Sequence, residues 1–256
     1  MKVSINIQSY KRAGSVNTLN IFPDANVWVH TFEVKEYRKA YPDANILELP
    51  DDTRGNLPKV KNYIFKEEKD LNDFVLFLDD DISSIGMWEG SEIVKLDAEF
   101  LHTFLIKYSL LCREWGYKLW GVNVNPDKQV YREYSPFSTL SYISSSFACF
   151  SNDNELSYDV NLPLKEDYDM TIQQCNRYRG LLRVNKFFYV KKSAENTGGC
   201  AVYRNIDKEK EQMQLLIKKW GSDIVKVDKG MSRSHSSDKI QTFDINPIIK
   251  IPINGI

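Results

Sequence analysis

An unbroken apolar run, Phe74-Val75-Leu76-Phe77-Leu78, ends on three consecutive carboxylates, Asp79-Asp80-Asp81. No other segment restricts the fold so tightly. A half-buried strand would alternate apolar with polar residues, whereas a continuous run suits a central parallel strand covered on both faces. The residues ahead of it keep a repeating order. Val3 to Ile7 reads as a strand and Val27 to Val29 as a second. Glu33 to Tyr41 reads as a short helix stopped by Pro42, and Asn45 to Leu49 as a third strand stopped by Pro50. Leu57 to Glu68 is helical, with Pro58 at a position that tolerates it. Strands and helices taken in this order predict a doubly wound α/β half.

The later chain is more mixed. Phe104, Leu105, Tyr108, Leu111, Cys112 and Trp115 fall at helical spacing, with Asp97 as N-cap and Gly116 as stop. Strands are expected at Leu119 to Val124 and Ser141 to Phe150, separated by a loop from Asn125 to Thr139. A helix follows over Glu166 to Arg179, a strand over Leu181 to Val190 and an amphipathic helix over Lys208 to Trp220. Beyond Gly230 the chain is polar, then rich in Ile and Pro. With no internal repeat and no low-complexity linker, residues 1–256 are expected to form a single domain. Within it a first part spans about 1–95, a second about 96–240, and a tail 241–256.

Composition removes several classes. At 42% hydrophobic and 27% charged residues the chain is not disordered, and a formal charge of −1 gives no global basic field for nucleic acid. No run approaches the ~20 apolar residues of a membrane span, and the N-terminus lacks the pattern of a signal peptide. Cys112, Cys149, Cys175 and Cys200 are scattered and form no C-x-x-C pair. Reduced core cysteines in a cytoplasmic protein are expected.

Chemistry should gather where strands end, because open α/β sheets bind ligands beyond the carboxyl ends of their strands. The Asp79-Asp80-Asp81 run lies at such an end and needs counter-charge. Mg²⁺ or Mn²⁺ bridging to phosphate oxygens would supply it, and an acidic cap or turn is the structural alternative. Ser9-Tyr10-Lys11-Arg12 follows the first strand: Tyr10 could stack on a base and Lys11 or Arg12 could meet phosphate. Arg54 and Lys61 flank Gly55 and a helix start, an arrangement suited to phosphate or to a wet helix face. Glu166 and Asp167 open a helix, where they either complement the dipole or supply a general base. His235 lies in a polar segment beside Arg233 and Lys239, as a metal or diphosphate ligand. Thr197-Gly198-Gly199-Cys200 reads as a flexible loop of the cleft.

In this order the motifs resemble those of GT-A fold glycosyltransferases, over roughly residues 3 to 238. The resemblance implies a Rossmann-like nucleotide-binding half, with a mixed central sheet, merged with a smaller acceptor-binding half. It also implies an Asp-x-Asp motif at Asp79 and Asp81, with Asp81 the principal metal ligand and Asp79 nearer the nucleoside. Asp167 becomes the base of an x-Glu-Asp motif and His235 the late metal ligand. A nucleotide-sugar donor, a UDP-sugar by family default, and Mn²⁺ or Mg²⁺ come with it. Lys165 to Asp169, Leu182 to Lys186 and Gly198-Gly199-Cys200 further resemble the TET-associated glycosyltransferases of bacteriophages. Their acceptor would be 5-hydroxymethylpyrimidine in DNA, inside an infected host's cytoplasm. The acidic charge departs from that picture unless Lys218, Lys219, Lys226, Lys229, Arg233 and Lys239 form a local basic strip. The competing functions are transfer to a saccharide or protein, a nucleotidyltransferase, and a non-catalytic sugar- or nucleic-acid-binding module.

Overall fold

The computed structural model describes residues 1–124, 126, 131–191, 199, 204–228 and 245–252. Its centre is one mixed sheet. The first half contributes β1 (Val3–Gln8), β2 (Asn26–His30), α1 (Val34–Ala40), β3 (Asn45–Leu49), α2 (Leu57–Glu68) and β4 (Phe74–Asp79). β3, β2, β1 and β4 lie side by side and parallel, as a doubly wound half requires. β4 is covered on both faces, with Phe74 through Leu78 all at 0% exposure. Its alternate residues serve two cores. Leu76 and Leu78 join Ile7, Val27 and Phe104 on one side, while Val75 and Phe77 meet Val60, Ile64 and Met170 on the other.

The chain then makes a hairpin, β5 (Ile82–Glu89) and β6 (Glu92–Lys95), before α3 (Ala98–Glu114), β7 (Leu119–Asn123), β8 (Phe137–Ser138) and β9 (Phe147–Ser151). α4 (Glu166–Tyr178), β10 (Leu182–Lys191), α5 (Ile206–Trp220), β11 (Val225–Val227) and β12 (Pro247–Ile249) complete it. The sheet order is β3-β2-β1-β4-β9-β7-β10-β5-β6, with β8 beside β10, so strands from both halves build one layer. β9 runs antiparallel to both β4 and β7, and β5 antiparallel to β10, which makes the sheet mixed.

Local signals set the ends of the helices. Asn56 and Asp97 accept backbone N–H bonds from Lys59 and Phe100 and so cap α2 and α3. Gly116, at φ +78°, ends α3 with its N–H on the Arg113 carbonyl. Two sequence expectations need correction. The expected strand Ser141 to Phe150 is regular only from Phe147, and Ser141 to Ser146 instead form an irregular approach to the site. The β5–β6 hairpin was not anticipated. Its two-residue turn, Gly90-Ser91 with Gly90 at φ +57°, is an ordinary hairpin signal, but polar Ser83, Ser84 and Glu89 obscure the flanking strand. Cys112, Cys149 and Cys175 are buried and unpaired. Among the described residues no helix is long and apolar enough to cross a membrane.

Candidate active site

The chain leaves β1 toward β2 and returns to β1's other side as β4, so a topological switch point falls between β1 and β4. Both strands end there, with Gln8 paired to Asp79. The three carboxylates take different partners, Asp79 from the last residue of β4 and Asp80 and Asp81 from the turn between β4 and β5. Asp79 accepts from Gln8 Nε2 (2.9 Å), from Ser146 Oγ (2.7 Å) and from the Lys191 ammonium. Asp80 turns the other way, accepting from Ser9 Oγ and Arg12 Nη1, each at 2.5 Å. Asp81 lies 3.7 Å from Arg12 Nη1 and 3.9 Å from Lys191 Nζ, and its buried Oδ1 has no hydrogen-bond partner. Side-chain exposures of 24% for Asp79, 4% for Asp80 and 12% for Asp81 leave the outer two more open than the middle one. Thr18 fastens the turn: its hydroxyl donates to the Asp79 carbonyl and accepts from Ile82 N–H, while its N–H meets the Asp80 carbonyl.

Burial pushes the Asp80 carboxyl up to about 6 against the opposing pull of Arg12. Burial and the charge of Asp79 likewise raise Asp81. Burial acts on Asp79 in the same sense, but Lys191 and Lys61 outweigh it and hold that carboxyl well below the usual range. Burial would lower the Lys191 ammonium, yet Asp79 overcomes it and raises that group.

A second acidic group opens α4. Glu166 accepts from Ser145 Oγ at 2.9 Å and lies 3.9 Å from Lys61 Nζ. Burial, followed by the neighbouring charge of Asp167, pushes its carboxyl up to about 7. Asp167 accepts from the Tyr142 hydroxyl and from Tyr168 N–H, and the two tyrosine rings stack with centroids 4.3 Å apart. The two acidic groups form one site. The adjacent hydroxyls of Ser145 and Ser146 reach Glu166 and Asp79 respectively, and buried Lys61 donates to the Ser145 carbonyl at 3.2 Å.

On the rim, Lys11 adopts φ +56°, donates its N–H to Glu33 and turns the loop so that Arg12 folds back onto Asp80. Tyr10 packs edge-on to His30 and Phe32, and the Arg54 guanidinium lies 4.5 Å above the Phe32 ring. Phe32 is 51% exposed beside Tyr10. Gly199 donates to the Tyr10 carbonyl, and a Cβ there would meet Arg12 Nη2 at 3.3 Å.

Ser9, Tyr10, Lys11, Arg12 and Arg54 therefore share the rim of β1, while Asp79, Asp80, Asp81, Lys61 and Glu166 line its floor and Asp167 stands beside Glu166. Lys61 is not on a wet helix face, since its side chain is 0% exposed. Asp169, close by in sequence, is a tie to α5, accepting from Trp220 Nε1 and Lys219. Lys219 also pairs with Asp159, so this member of the expected basic strip is engaged inward. His235, Lys229, Arg233, Lys239, Thr197, Gly198 and Cys200 lie outside the described residues. Sequence reasoning missed Tyr142, Ser145, Ser146 and Lys191. The serines sat inside a segment read as regular strand, and a lone Lys at a strand end carries no motif.

Among the described residues no group of three or more His, Cys, Asp or Glu has metal-ligand spacing. The paired Asp79 and Asp81 suit a different arrangement, in which one or two carboxylates hold a hard cation whose remaining ligands are waters and substrate phosphates. The unpartnered buried Oδ1 of Asp81 fits such a cation.

Comparison with solved structures bears on the fold. Staphylococcus aureus TarS (residues 1–349) superposes with a TM-score of 0.50 at 16% identity, covering 86% of this chain and 65% of that one. The chain thus spans just under two thirds of that TarS fragment. A197 from STIV (TM-score 0.42, 11% identity, 77% and 89% covered) follows. So does a putative nucleotide-diphospho-sugar transferase from Desulfovibrio desulfuricans G20 (0.40, 12%, 86% and 99% covered). No curated protein sequence matches. The fold is the mixed α/β architecture of the GT-A type, shared with TarS. More narrowly, residues 7–199 match the model of the TET-associated glycosyltransferases, and the chain belongs to that family.

Proposed function

We propose that the protein transfers a sugar from a nucleoside diphosphate, UDP in the first instance, to the hydroxyl of 5-hydroxymethylpyrimidine in DNA. One observation carries the site assignment: Ser145 and Ser146, adjacent in the chain, join the acidic end of β4 to the first turn of α4. The sugar donor would lie across the switch point, its base against Tyr10 and Phe32 and its diphosphate toward Arg12. Asp79 and Asp81 would hold Mn²⁺ or Mg²⁺, which supplies positive charge to the departing diphosphate. His235 is the further ligand proposed from sequence.

Asp167 acts as general base. The acceptor oxygen attacks the anomeric carbon, its proton passes to Asp167, and the bond from that carbon to the diphosphate breaks to release the nucleoside diphosphate. Tyr142 and Tyr168 fix the orientation of the Asp167 carboxylate. Glu166, titrating at about 7, is largely neutral below that value and so repels its neighbour less. Support for the DNA acceptor is membership of the family; support for the base is its place beside the buried cluster.

Transfer to hydroxymethylated DNA and to free saccharides, with a panel of sugar nucleotides, tests this directly. Asp167→Asn should retain sugar-donor binding and lose about 10²–10⁴-fold in transfer rate, while Asp81→Ala should lose metal-dependent binding of the sugar donor. Undiminished transfer by Asp167→Asn removes it as base. Transfer to saccharides alone removes the DNA acceptor.

A further inference from the structure

We propose that Lys191 is a built-in counter-ion that occupies the cation position between Asp79 and Asp81 in the free enzyme and is displaced when metal and sugar donor bind. The proposal rests on the assignment of Asp79 and Asp81 as metal ligands.

The placement of Lys191 is specific. β10 runs antiparallel to β5, which begins directly after Asp81, and the register sets Lys191 opposite Ile82. That register shifts between Val190 and Lys191, the kind of irregularity that re-aims a side chain beside a site. The Ser83 hydroxyl donates to the Val190 carbonyl at 3.0 Å and fixes the shift. As a result the ammonium contacts Asp79 Oδ2 and lies 3.9 Å from Asp81 Oδ1. The second distance is too long for a hydrogen bond, and Asp81 Oδ1 has no other partner. One carboxylate is thus satisfied by Lys191 and the other only neutralised by it.

A hard divalent cation would need these same oxygens at about 2.0–2.1 Å, and its charge would repel the Lys191 ammonium from Asp79 Oδ2. Lys191 would therefore withdraw as the metal enters. Its side chain is 34% exposed, and its flexible four-carbon stem permits the withdrawal. The displaced ammonium remains at the mouth of the site, within reach of an incoming diphosphate. Without it, the free enzyme would carry Asp79 and Asp81 with only Arg12 and the buried Lys61 as nearby cations to offset them. Lys191 thereby keeps the acidic pair folded before the metal arrives and sets a threshold for metal entry.

Mn²⁺ binding without sugar donor, followed by the paramagnetic resonance signal of the free ion, separates the possibilities. Lys191→Met should bind Mn²⁺ about ten-fold or more tightly than the wild type, the scale of one partly solvated charge contact. With Mn²⁺ saturating, the same variant should bind UDP more weakly. Lys191→Arg should keep an affinity for Mn²⁺ close to that of the wild type. Affinity in Lys191→Met that is equal to or weaker than wild type overturns the proposal. Asp81→Asn distinguishes this from failure of the metal assignment: if it binds Mn²⁺ as the wild type does, Asp81 is no ligand and the assignment itself falls. Should Lys191→Met not fold, Lys191→Gln removes the charge, keeps a hydrogen bond to Asp79 and is judged by the same two outcomes.

Discussion

The first turn of α4, which carries Glu166 and Asp167, is held in place by α5. Lys165, immediately before that turn, points its ammonium at Glu209 Oε2 at 2.6 Å, with the two side chains 1% and 0% exposed. Arg204 reaches the other oxygen of Glu209 at 2.5 Å but is 31% exposed and shares its charge with solvent. Replacing Glu209 by Leu strands the Lys165 ammonium in a space with no other anion on it among the described ion pairs. Breaking one side of a buried pair costs about 3–5 kcal/mol, a large part of the ~5–15 kcal/mol that holds a domain together. For a chain of this size each kcal/mol moves the melting point by about 2–4 °C, so a loss of roughly 6–20 °C is expected. The pair is not intrinsically worth that much, since burying two charges has its own desolvation penalty. Lys165→Met with Glu209→Leu should accordingly recover most of the loss, to within about 1 kcal/mol of the wild type. Urea unfolding followed by far-ultraviolet circular dichroism measures all four members of the cycle. A single variant within about 1 kcal/mol of wild type, or a double variant as unstable as Glu209→Leu, refutes the reasoning.

Other expectations follow from single groups. Glu166 titrates at about 7 in the fold against 4.5 as the ordinary value, so the folded protein holds this proton more tightly. Its contribution to stability is complete below about pH 4.5, declines as pH rises and is gone above about pH 7. Glu166→Gln should remove that decline, gaining about 3 kcal/mol on the wild type between pH 4 and 8; parallel stability curves would exclude the shift. A Cβ on Gly121 would lie 2.6 Å from Ile143 Cγ2 and 2.7 Å from the Phe147 carbonyl. Gly121→Ala should cost about 1–3 kcal/mol in urea unfolding, and a neutral result would show that the segment leading into β9 yields freely. Asp80→Ala should weaken UDP binding by loosening Ser9 and Arg12, as calorimetry with UDP would show; unchanged UDP affinity would exclude that role for the link.

The parallel half was legible because its signals are local and repeat. The apolar run of β4, the cap at Asn56 and the breaks at Pro42 and Pro50 all act within a few residues of themselves. The convergence of Ser9 to Arg12 with Asp79 to Asp81 was legible because both segments follow neighbouring strand ends. What escaped notice depends on distant partners. Lys191 meets Asp79 across 112 residues, and only the register of β10 on β5 brings them together. Ser145 and Ser146 gain their meaning from Glu166 and Asp79, and nothing in a serine-rich stretch distinguishes them from an exposed loop. Lys61 looked like a surface cation because a helix start near Lys59 is usually wet. Its burial follows from Tyr158 and Ser145, supplied by chain about ninety residues further on.

Three adjacent aspartates at a strand end look redundant, but their places make them unequal. Asp79 is the last residue of β4, and Asp80 and Asp81 form the turn into β5, which sends the middle carboxylate to partners different from those of the outer two. The middle carboxylate here faces Ser9 and Arg12, and the loop after β1 is anchored to the loop after β4 through it. Asp79 and Asp81 are left with Lys191 between them. The turn thus fixes the rim with one carboxylate and exposes two others to the cleft. Such a division would let the loop proposed to face the nucleotide and the proposed cation position be set by a single short turn, so that a shift in one is transmitted to the other. Arg12 makes the coupling physical, at 2.5 Å from Asp80 and 3.7 Å from Asp81. A diphosphate that draws Arg12 away would leave Asp80 short of a counter-charge and deepen the negative potential at Asp81, favouring a divalent ion just when the sugar donor arrives.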